Sequence, residues 1–314
     1  MSKGPKVLIV NHMHPSIISK LEAIGYAVDY QPTITAAAIP QALADATGMI
    51  IRSKVQVEES LLQHAPLLRF VGRAGAGVDN VNLADLDKRN ITLVNAPEGN
   101  RDALAEHSLG MLLALFNHIH LADQQVRQGI WDREGNRGIE LGTRTVGILG
   151  FGHMGQAFAK RLSGIGCEVI TFDKYKSGYG NQYAQAVSEA EFFARTQVLS
   201  IHIPLSSDNR YLVDEAFLNR FTQNLFVLNT ARGEVLDLAA LVAGMKSGKV
   251  LGAALDVLEN EKLDTLTPEQ AASFAYLRES DRTLLSPHVA GWSHESYERI
   301  NQTLVEKIQG LGLI

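Results

Sequence analysis

The chain has 314 residues, of which 46% are hydrophobic and 20% charged, and its formal net charge is -5. This length predicts one large or two ordinary domains, and this composition is typical of soluble globular proteins. The negative charge gives no reason to expect nucleic acid or an anionic membrane as a partner. No apolar run approaches the ~20 residues that span a bilayer. The N-terminus has no signal-peptide core, so we expect a cytoplasmic protein.

The sequence contains a single cysteine, Cys167, in an apolar run. One cysteine cannot form a disulfide within the chain or build a cysteine-based metal site, and we expect no metal. The thiol is either a nucleophile or a small buried filler, and its apolar neighbours favour the filler.

Short apolar runs alternate with helical patterns along almost the whole chain. Most of these runs are continuously apolar, a pattern typical of parallel strands that are covered on both faces. Their alternation with helices predicts βαβ units and an α/β fold of doubly wound parallel sheets. The predicted strands are residues 6–10, 26–30, 48–52, 69–74, 92–96, 145–150, 168–173, 198–204, 225–230, 251–257 and 283–289.

Two long helices are predicted outside these βαβ units. The first runs from about Arg101 to Gln128, with Asn100 as its N-cap. It is apolar on several faces, so we expect it to connect two domains. The second runs from about Ser293 to Gly310, and we expect it to return to the first domain.

Three glycines, Gly150, Gly152 and Gly155, follow the apolar run 145–150 and open a helical pattern. In a dinucleotide-binding turn the first glycine permits the tight turn, and the second lets phosphate oxygens approach the backbone. The third glycine lets the helix pack against the strand, and the N–H groups at the start of the helix face the pyrophosphate. His153 and Met154 lie within this turn. A strand-to-helix turn without a ligand is the alternative.

Asp173 ends the next predicted strand. A carboxylate at this position accepts hydrogen bonds from the ribose hydroxyls and repels a 2′-phosphate, which favours NAD over NADP. The adjacent Lys174 weakens that preference.

Several further stretches carry a family resemblance: "VGRAGAGVDNV" (71–81), "NTARGEVLD" (229–237), "ALDVLENE" (254–261) and "SPHVAG" (286–291). With the glycine motif they resemble the D-2-hydroxyacid dehydrogenase family over nearly the whole chain. The stretch 71–81 and "NAPEGN" (95–100) are most similar to D-3-phosphoglycerate dehydrogenases.

The resemblance implies two α/β domains with the active site in the cleft. Residues 1–99 and 289–314 would form a flavodoxin-like substrate-binding domain, and residues 100–288 a Rossmann domain that binds NAD. It also suggests a homodimer formed through the NAD-binding domain.

The chemistry of this family needs a proton acceptor and an anchor for a carboxylate. Histidine suits proton transfer in both directions because its ordinary pKa lies near neutral pH. His288 matches the acid/base histidine of the family, and Glu261 matches the glutamate that binds its other ring nitrogen. Arg232 matches the residue that holds the substrate carboxylate and polarises the C2 oxygen; its planar fork suits both oxygens. A structural histidine, a surface glutamate and a surface arginine are the alternatives.

The sequence departs from the family pattern at three places. Leu258 replaces the usual phenylalanine and Lys262 follows Glu261. The segment 262–282 is longer than usual, so we expect Glu261 on a more mobile loop. Trp292 replaces a small or hydroxyl residue; it either walls the substrate pocket or packs at the start of the last helix.

The resemblance also assigns binding roles. Asp256 would bind the nicotinamide carboxamide, and Pro204 would lie near the adenine. Arg52 and Lys54 occupy positions where phosphoglycerate dehydrogenases place phosphate-binding cations, and solvated surface charges are the alternative. The other expected cofactor contacts are His202, Thr230, Ala231 and Gly291. The remaining expected substrate contacts are Arg73, the backbone of Ala74, Gly75 and Ala76, and Arg133, which would reach the site of a partner subunit.

The sequence thus predicts an NAD-dependent oxidoreductase that acts on a small anionic D-2-hydroxy acid, with D-3-phosphoglycerate as the leading substrate. A glyoxylate/hydroxypyruvate or D-lactate-type reductase is the alternative within the enzyme class. An NAD-sensing protein similar to transcriptional corepressors is the alternative outside it. We expect no C-terminal regulatory domain after the last helix.

Overall fold

The computed structural model describes residues 4–314, which form two compact units. The first unit contains the chain up to Arg101 and the segment Trp292–Ile314, and the second is Asp102–Gly291. Residues 289–291, expected in the first domain, group with the second unit, and residues 100–101, expected in the second domain, group with the first unit. The backbone N–H groups of Val289 and Ala290 bond to Asp256 of the second unit. No helix among the described residues is long and apolar enough to cross a bilayer.

The first unit is built on a five-stranded parallel sheet in the order β2-β1-β3-β4-β5. This is the flavodoxin-like strand order, as the resemblance predicts. The strands are β1 (Lys6–Ile9), β2 (Ala27–Tyr30), β3 (Ala46–Ile51), β4 (Phe70–Arg73) and β5 (Thr92–Asn95). The helices that connect them are α1 (Ser16–Ala23), α2 (Ile39–Leu43), α3 (Glu59–Leu62) and α4 (Leu83–Lys88).

The predicted helix over 101–128 is two helices, α5 (Pro97–Phe116) and α6 (Ile119–Arg127). The break lies at His118, whose φ of 51° is left-handed and cannot continue a right-handed helix. α5 begins before the predicted cap Asn100, with Pro97 at its first position.

The second unit is built on a seven-stranded parallel sheet in the order β12-β11-β10-β9-β6-β7-β8. The six neighbouring strands from β11 to β8 follow the Rossmann strand order. The seventh strand, β12, extends the sheet at the edge beside β11. Because all strands are parallel, the residues that follow them meet at one edge of the sheet. The strands are β6 (Thr145–Leu149), β7 (Glu168–Phe172), β8 (Gln185–Ala186), β9 (Val198–Ile201), β10 (Leu225–Asn229), β11 (Val250–Leu255) and β12 (Thr283–Leu285).

The helices of the second unit cover both faces of this sheet. Besides α6 and most of α5, they are α7 (His153–Leu162), α8 (Glu189–Arg195), α9 (Glu215–Asn219), α10 (Leu238–Ser247) and α11 (Pro268–Glu279). Glu261, which we expected on a more mobile loop because the segment 262–282 is long, lies in the loop before α11. The N-terminus of α11 is fixed by a capping box, in which Thr267 and Gln270 bond each other's backbone N–H groups.

The last helix, α12 (His294–Gln309), belongs to the first unit and begins after the N-cap Ser293. Its buried residues Ile300, Leu304 and Ile308 recur at helical spacing and join the same apolar core as β1. The return of this helix to the first unit agrees with the expectation from the sequence.

Candidate active site

The glycine turn follows β6 at the edge of the seven-stranded sheet. Gly150 has a φ of 91°, and a Cβ there would lie 2.7 Å from Ile203 Cγ2 and 2.9 Å from the His202 carbonyl oxygen. A Cβ on Gly155 would lie 2.3 Å from the Gly150 carbonyl oxygen. Both positions therefore require glycine, one for the turn and the other for the close packing of helix on strand.

The N-terminus of α7 is open. Gly152 is its N-cap and supplies no side-chain cap, and a Cβ on Gly152 would meet nothing within 4 Å. The first N–H groups of a helix lack intrahelical partners and carry a partial positive charge. His153 is exposed and Met154 half-buried at this end. The space and the donors together fit an anionic phosphate group.

Asp173 directly follows β7 and holds the glycine turn in place. Its Oδ2 accepts a 2.9 Å bond from Phe151 N, and its Oδ1 accepts a 3.1 Å bond from Tyr175 N. A carboxylate has about four lone-pair positions, so acceptor capacity remains for ribose hydroxyls. Lys176, rather than Lys174, donates to this turn, with Nζ 2.7 Å from the Phe151 carbonyl oxygen.

His288 and Glu261 form a hydrogen-bonded pair in the same unit. His288 Nδ1 lies 2.8 Å from Glu261 Oε1 and 3.0 Å from Oε2. Both side chains remain nearly half exposed. With Nδ1 donating to the carboxylate, Nε2 is the nitrogen left to exchange a proton with a bound molecule.

Arg232 lies in the loop that follows β10. The buried side chain of Asn229 shapes this loop, because its Oδ1 accepts a bond from Ala231 N and its Nδ2 donates to the Arg232 carbonyl oxygen, each at 3.0 Å. The Thr230 hydroxyl lies 3.0 Å from the Ser108 hydroxyl in the interior. The guanidinium Nη1 donates to the Ala231 carbonyl oxygen at 2.7 Å.

The Arg232 loop packs against the segment that leads to Glu261. A Cβ on Gly233 would lie 1.9 Å from the Leu258 carbonyl oxygen and 2.6 Å from Glu259 N. Glu259 fastens this segment by accepting a 2.5 Å bond from Leu238 N at the start of α10. Burial raises the pKa of the Glu259 carboxyl, and the nearby Asp237 and Glu234 raise it further. The second unit therefore brings the loops of Arg232 and Glu261 into direct contact.

In the first unit, Arg52 follows β3 and stacks on aromatic rings. Its guanidinium carbon lies 4.0 Å from the ring centre of Trp292 and 5.8 Å from that of Tyr297. Burial lowers the pKa of Arg52. None of the described residues forms a salt bridge with it. A bound anion would offset the free-energy cost of burying part of this charge. Trp292 therefore packs both on Tyr297, with ring centres 4.7 Å apart, and on Arg52.

Lys54 differs from Arg52 in that its ammonium binds its own chain. Nζ lies 3.2 Å from the carbonyl oxygen of Pro32, and it also donates to the carbonyl of Ile34. A third carbonyl oxygen, that of Val10, lies 3.5 Å from Nζ. Because the ammonium group is already directed at three backbone oxygens, the expectation that Lys54 binds a phosphate is weakened.

The loop after β4 offers fewer donors than the sequence predicts. Ala74 N donates to the Ile51 carbonyl oxygen at 2.8 Å, so it extends the sheet and is not available to a substrate. In the described part of the chain, the N–H groups of Gly75 and Ala76 have no partner. Arg73 lies beside them, with Nη1 3.2 Å from the Ala74 carbonyl oxygen.

Comparisons with known proteins agree with this geometry. Residues 109–290 match the family model described as the NAD binding domain of D-isomer specific 2-hydroxyacid dehydrogenases. The chain belongs to the D-isomer specific 2-hydroxyacid dehydrogenase family. As in that family, NAD is the cofactor of the second unit, and the open helix N-terminus and the Asp173 carboxylate fit it.

Relatives within the family carry different names. A D-3-phosphoglycerate dehydrogenase of Archaeoglobus fulgidus is 30% identical over 96% of this chain, but the match covers 56% of that protein. The chain thus spans about half the length of the phosphoglycerate dehydrogenases that it matches. A hydroxypyruvate reductase of Thermotoga maritima is 30% identical over 83% of each chain.

Solved structures show the same fold. A glyoxylate reductase from Paecilomyes thermophila has a TM-score of 0.86 at 20% identity, over 99% of this chain and 95% of that one. A D-lactate dehydrogenase from Aquifex aeolicus has a TM-score of 0.84 at 22% identity, over 98% and 95%.

Two of the expected cofactor contacts have buried side chains. The ring of His202 packs 5.4 Å from Phe158 and its Nε2 lies 2.7 Å from the Ser200 hydroxyl, while burial lowers its pKa to about 3. Its backbone, not its ring, faces the glycine turn. Asp256 is 1% exposed, and its carboxylate is bound by its own chain. Pro204 is exposed, as a contact with adenine requires.

Sequence reasoning missed the residues that hold the functional loops. Asn229, Gly233 and Glu259 shape the loops of Arg232 and Glu261, and Ser286 and His107 contact Asp256. A polar residue at the end of an apolar strand, such as Asn229, or directly after one, such as Asp256, was the available signal, since such residues lie at the ligand-binding edge of a parallel sheet.

Proposed function

We propose that this chain is an NAD-dependent dehydrogenase that interconverts a D-2-hydroxy acid and its 2-oxo acid. The proposal rests above all on the hydrogen-bonded pair of His288 and Glu261 in the same unit as the glycine turn. Family membership and the NAD-binding domain support it.

The residues of this chain take roles that match the reaction. The open N-terminus of α7 and Asp173 would hold NAD, which when bound would supply the hydride acceptor for C2 of the hydroxy acid. Nε2 of His288 takes the hydroxyl proton in that direction and returns it in the other. The Glu261 carboxylate holds Nδ1–H and stabilises the imidazolium that forms. Arg232 holds the substrate carboxylate and polarises the C2 oxygen through its planar guanidinium.

D-3-phosphoglycerate is the substrate that we favour. The partly buried Arg52, stacked on the Trp292 ring and without a carboxylate partner, supports a substrate with a second anionic group. The matches to phosphoglycerate dehydrogenases point the same way. The N–H groups of Gly75 and Ala76 are proposed donors to the substrate, and Arg73 is a further cation near them.

Hydroxypyruvate reduction is the second candidate. The Thermotoga maritima hydroxypyruvate reductase matches over the same large share of both chains. In addition, the Lys54 ammonium is directed at backbone carbonyls, which leaves Arg52 as the better placed cation of the expected pair.

Steady-state kinetics separate these candidates. The formation or loss of NADH would be followed by absorbance with D-3-phosphoglycerate, 3-phosphohydroxypyruvate, hydroxypyruvate, glyoxylate and D-lactate. We expect the phosphorylated pair to give the highest kcat/KM. Turnover below ~10⁻² s⁻¹ on all of them, against typical values of 1–10³ s⁻¹, would instead support an NAD-sensing binding protein.

Arg52 and Lys54 provide a matched pair for the phosphate role. Arg52→Gln should raise KM for 3-phosphohydroxypyruvate by about 10- to 100-fold, the effect of one charge-assisted bond, and change KM for glyoxylate little. Lys54→Gln should have the smaller effect because its ammonium is already bonded. Equal effects of Arg52→Gln on both substrates would contradict the phosphate role.

A homodimer and a cytoplasmic location remain predictions. α6 has no buried residue, and Trp131, which follows it, is 79% exposed, so this face is free to be covered by a second copy. Arg133 is exposed beside it. Sedimentation of the wild-type chain and of Trp131→Ser would test the dimer, which the substitution should weaken.

A further inference from the structure

His288 has an unusual backbone conformation for a residue with a side chain. Its φ is 55°, in the left-handed region that residues other than glycine adopt only at a conformational cost. Such a conformation persists where surrounding contacts impose it. The direction of the imidazole therefore depends on what holds the loop 286–290.

Asp256, which follows β11, provides these contacts. His288 N donates to the Asp256 carbonyl oxygen at 2.7 Å. Val289 N donates to Oδ1 at 2.9 Å, and Ala290 N donates to Oδ2 at 2.8 Å. One buried residue thus binds three consecutive N–H groups through its carbonyl and its carboxylate.

The same carboxylate also accepts a hydrogen bond from a hydroxyl group. Ser286 Oγ lies 2.6 Å from Asp256 Oδ1, the short distance typical of a hydroxyl that donates to a carboxylate. A serine hydroxyl has one proton. Ser286 must therefore accept, rather than donate, in its other strong hydrogen bond.

That other bond comes from His107 on α5, whose Nε2 lies 3.1 Å from Ser286 Oγ and 3.7 Å from Asp256 Oδ1. In this arrangement, His107 Nε2–H donates a hydrogen bond to Ser286 Oγ, and the Ser286 hydroxyl donates one to Asp256 Oδ1. Among the described residues, neither a lysine nor an arginine forms an ion pair with Asp256. His107 is the residue that completes the polar surroundings of this buried carboxylate.

We propose that His107 is a positioning residue for His288, acting through Ser286 and Asp256. The inference rests on the proposed role of His288 as the acid/base. It gives the buried Asp256 carboxylate, which is 1% exposed and accepts three bonds, the task of holding the loop 286–290.

Two substitutions of His107 form a matched pair. The amide nitrogen of glutamine is the same number of bonds from Cβ as Nε2 of histidine, whereas that of asparagine is one bond shorter. His107→Gln should therefore keep the bond to Ser286, and His107→Asn should lose it. His64→Asn, at an exposed histidine of the first unit, controls for loss of an imidazole.

Kinetics on the substrate with the highest wild-type turnover give the first readout. Loss of one buried hydrogen bond should lower kcat about tenfold in His107→Asn and in Ser286→Ala. We expect KM for NAD to change less than about twofold, and His107→Gln to retain wild-type kcat within about threefold. Unchanged kcat in His107→Asn, or a raised KM for NAD with unchanged kcat, would overturn the proposal.

Amide hydrogen exchange gives a second readout that needs no turnover. In His107→Asn, the amide hydrogens of Val289 and Ala290 should exchange about tenfold faster than in wild type, with no change in His107→Gln or His64→Asn. Equal exchange in all variants would overturn the proposal. Failure of the proposed function would instead appear as a wild-type chain with no turnover on any substrate, with the exchange test still valid.

Discussion

Two turns of the second unit use the left-handed backbone region in different ways. The turn after β6 has glycine at that position, Gly150, and the turn after β12 has His288. At Gly150 the backbone alone must come close to its neighbours and to a phosphate, so the absence of a side chain is the useful property. At His288 a side chain is required. Hydrogen bonds that the backbone N–H groups of residues 288–290 donate to Asp256 hold the unfavourable backbone conformation. A strained residue of this kind indicates function when its imidazole is also paired with a carboxylate.

The largest expected effect comes from removing the groups that carry the chemistry. Arg232→Ala removes charge-assisted hydrogen bonds, and His288→Gln removes proton transfer. Each should lower kcat/KM by roughly 10²- to 10⁴-fold, measured with saturating NADH and the preferred 2-oxo acid. Near-normal turnover of either variant, with an unchanged pH profile for His288→Gln, would remove the role assigned to that residue.

Alanine substitutions at Gly150 and Gly152 should affect different properties of the glycine turn. Gly150→Ala places a Cβ 2.7 Å from Ile203 and retains a positive φ, so unfolding in urea should show a loss of about 2–4 kcal/mol. Gly152→Ala meets no protein atom within 4 Å and should change stability by less than about 0.5 kcal/mol.

The same Gly152→Ala variant should lose NAD affinity, because its methyl group occupies the space open to a phosphate. A loss of about tenfold or more in NAD affinity, read by titration calorimetry, corresponds to ~1.4 kcal/mol. Unchanged NAD binding in Gly152→Ala would show that the phosphate does not approach this backbone.

His202 contrasts with His288, because it is a histidine buried for packing. Its folded pKa of about 3 lies below the value of 6.5 for a free histidine. Between these values the unfolded chain binds a proton that the folded chain does not, so the stability contributed by the neutral ring is present above pH 6.5 and is lost as the pH falls. Over the range from pH 6.5 to 5 the loss is about 2 kcal/mol.

His202→Asn should therefore reduce the acid sensitivity of the unfolding free energy by about that amount. The measurement is urea unfolding of both chains at several pH values in this range. If the two chains lose stability in parallel as the pH falls, the ring is not the buried neutral group described above.

The smallest expected effect tests the strain at His288 itself. Both His288→Gly and His288→Ala lack the imidazole, but only glycine adopts a left-handed φ freely. We expect the glycine variant to be more stable than the alanine variant by about 1 kcal/mol. The reverse order, which is usual at helical positions, would show that the loop relaxes when the imidazole is removed.

Much of the fold could be predicted from the sequence, because buried parallel strands are continuously apolar and glycine turns have fixed spacing. The break at His118 could not, since a left-handed residue within an apolar helical pattern leaves no compositional mark. α11 was not predicted, because it buries only Ser273 and Leu277 and has little amphipathic periodicity.

The candidate site was predicted less completely than the fold. The His288–Glu261 pair matches the expectation, because both residues stand in motifs of the family. The contacts of Asp256 and Lys54 could not be predicted from motifs, since the groups that they bind are brought together only by folding. Asp256 accepts bonds from residues 30 or more positions away, and Lys54 reaches carbonyls 20 and 22 residues earlier.

A single-turnover experiment tests directly whether this chain transfers a hydride from NADH to a 2-oxo acid with the help of His288. The wild-type chain, loaded with one equivalent of NADH, would be mixed with an excess of 3-phosphohydroxypyruvate, and the NADH absorbance followed in time. We expect the loss of one equivalent of NADH per chain and a product of D configuration, with the loss slowed strongly in His288→Gln. NADH that stays bound and unreacted with this and every other 2-oxo acid of the panel would contradict it.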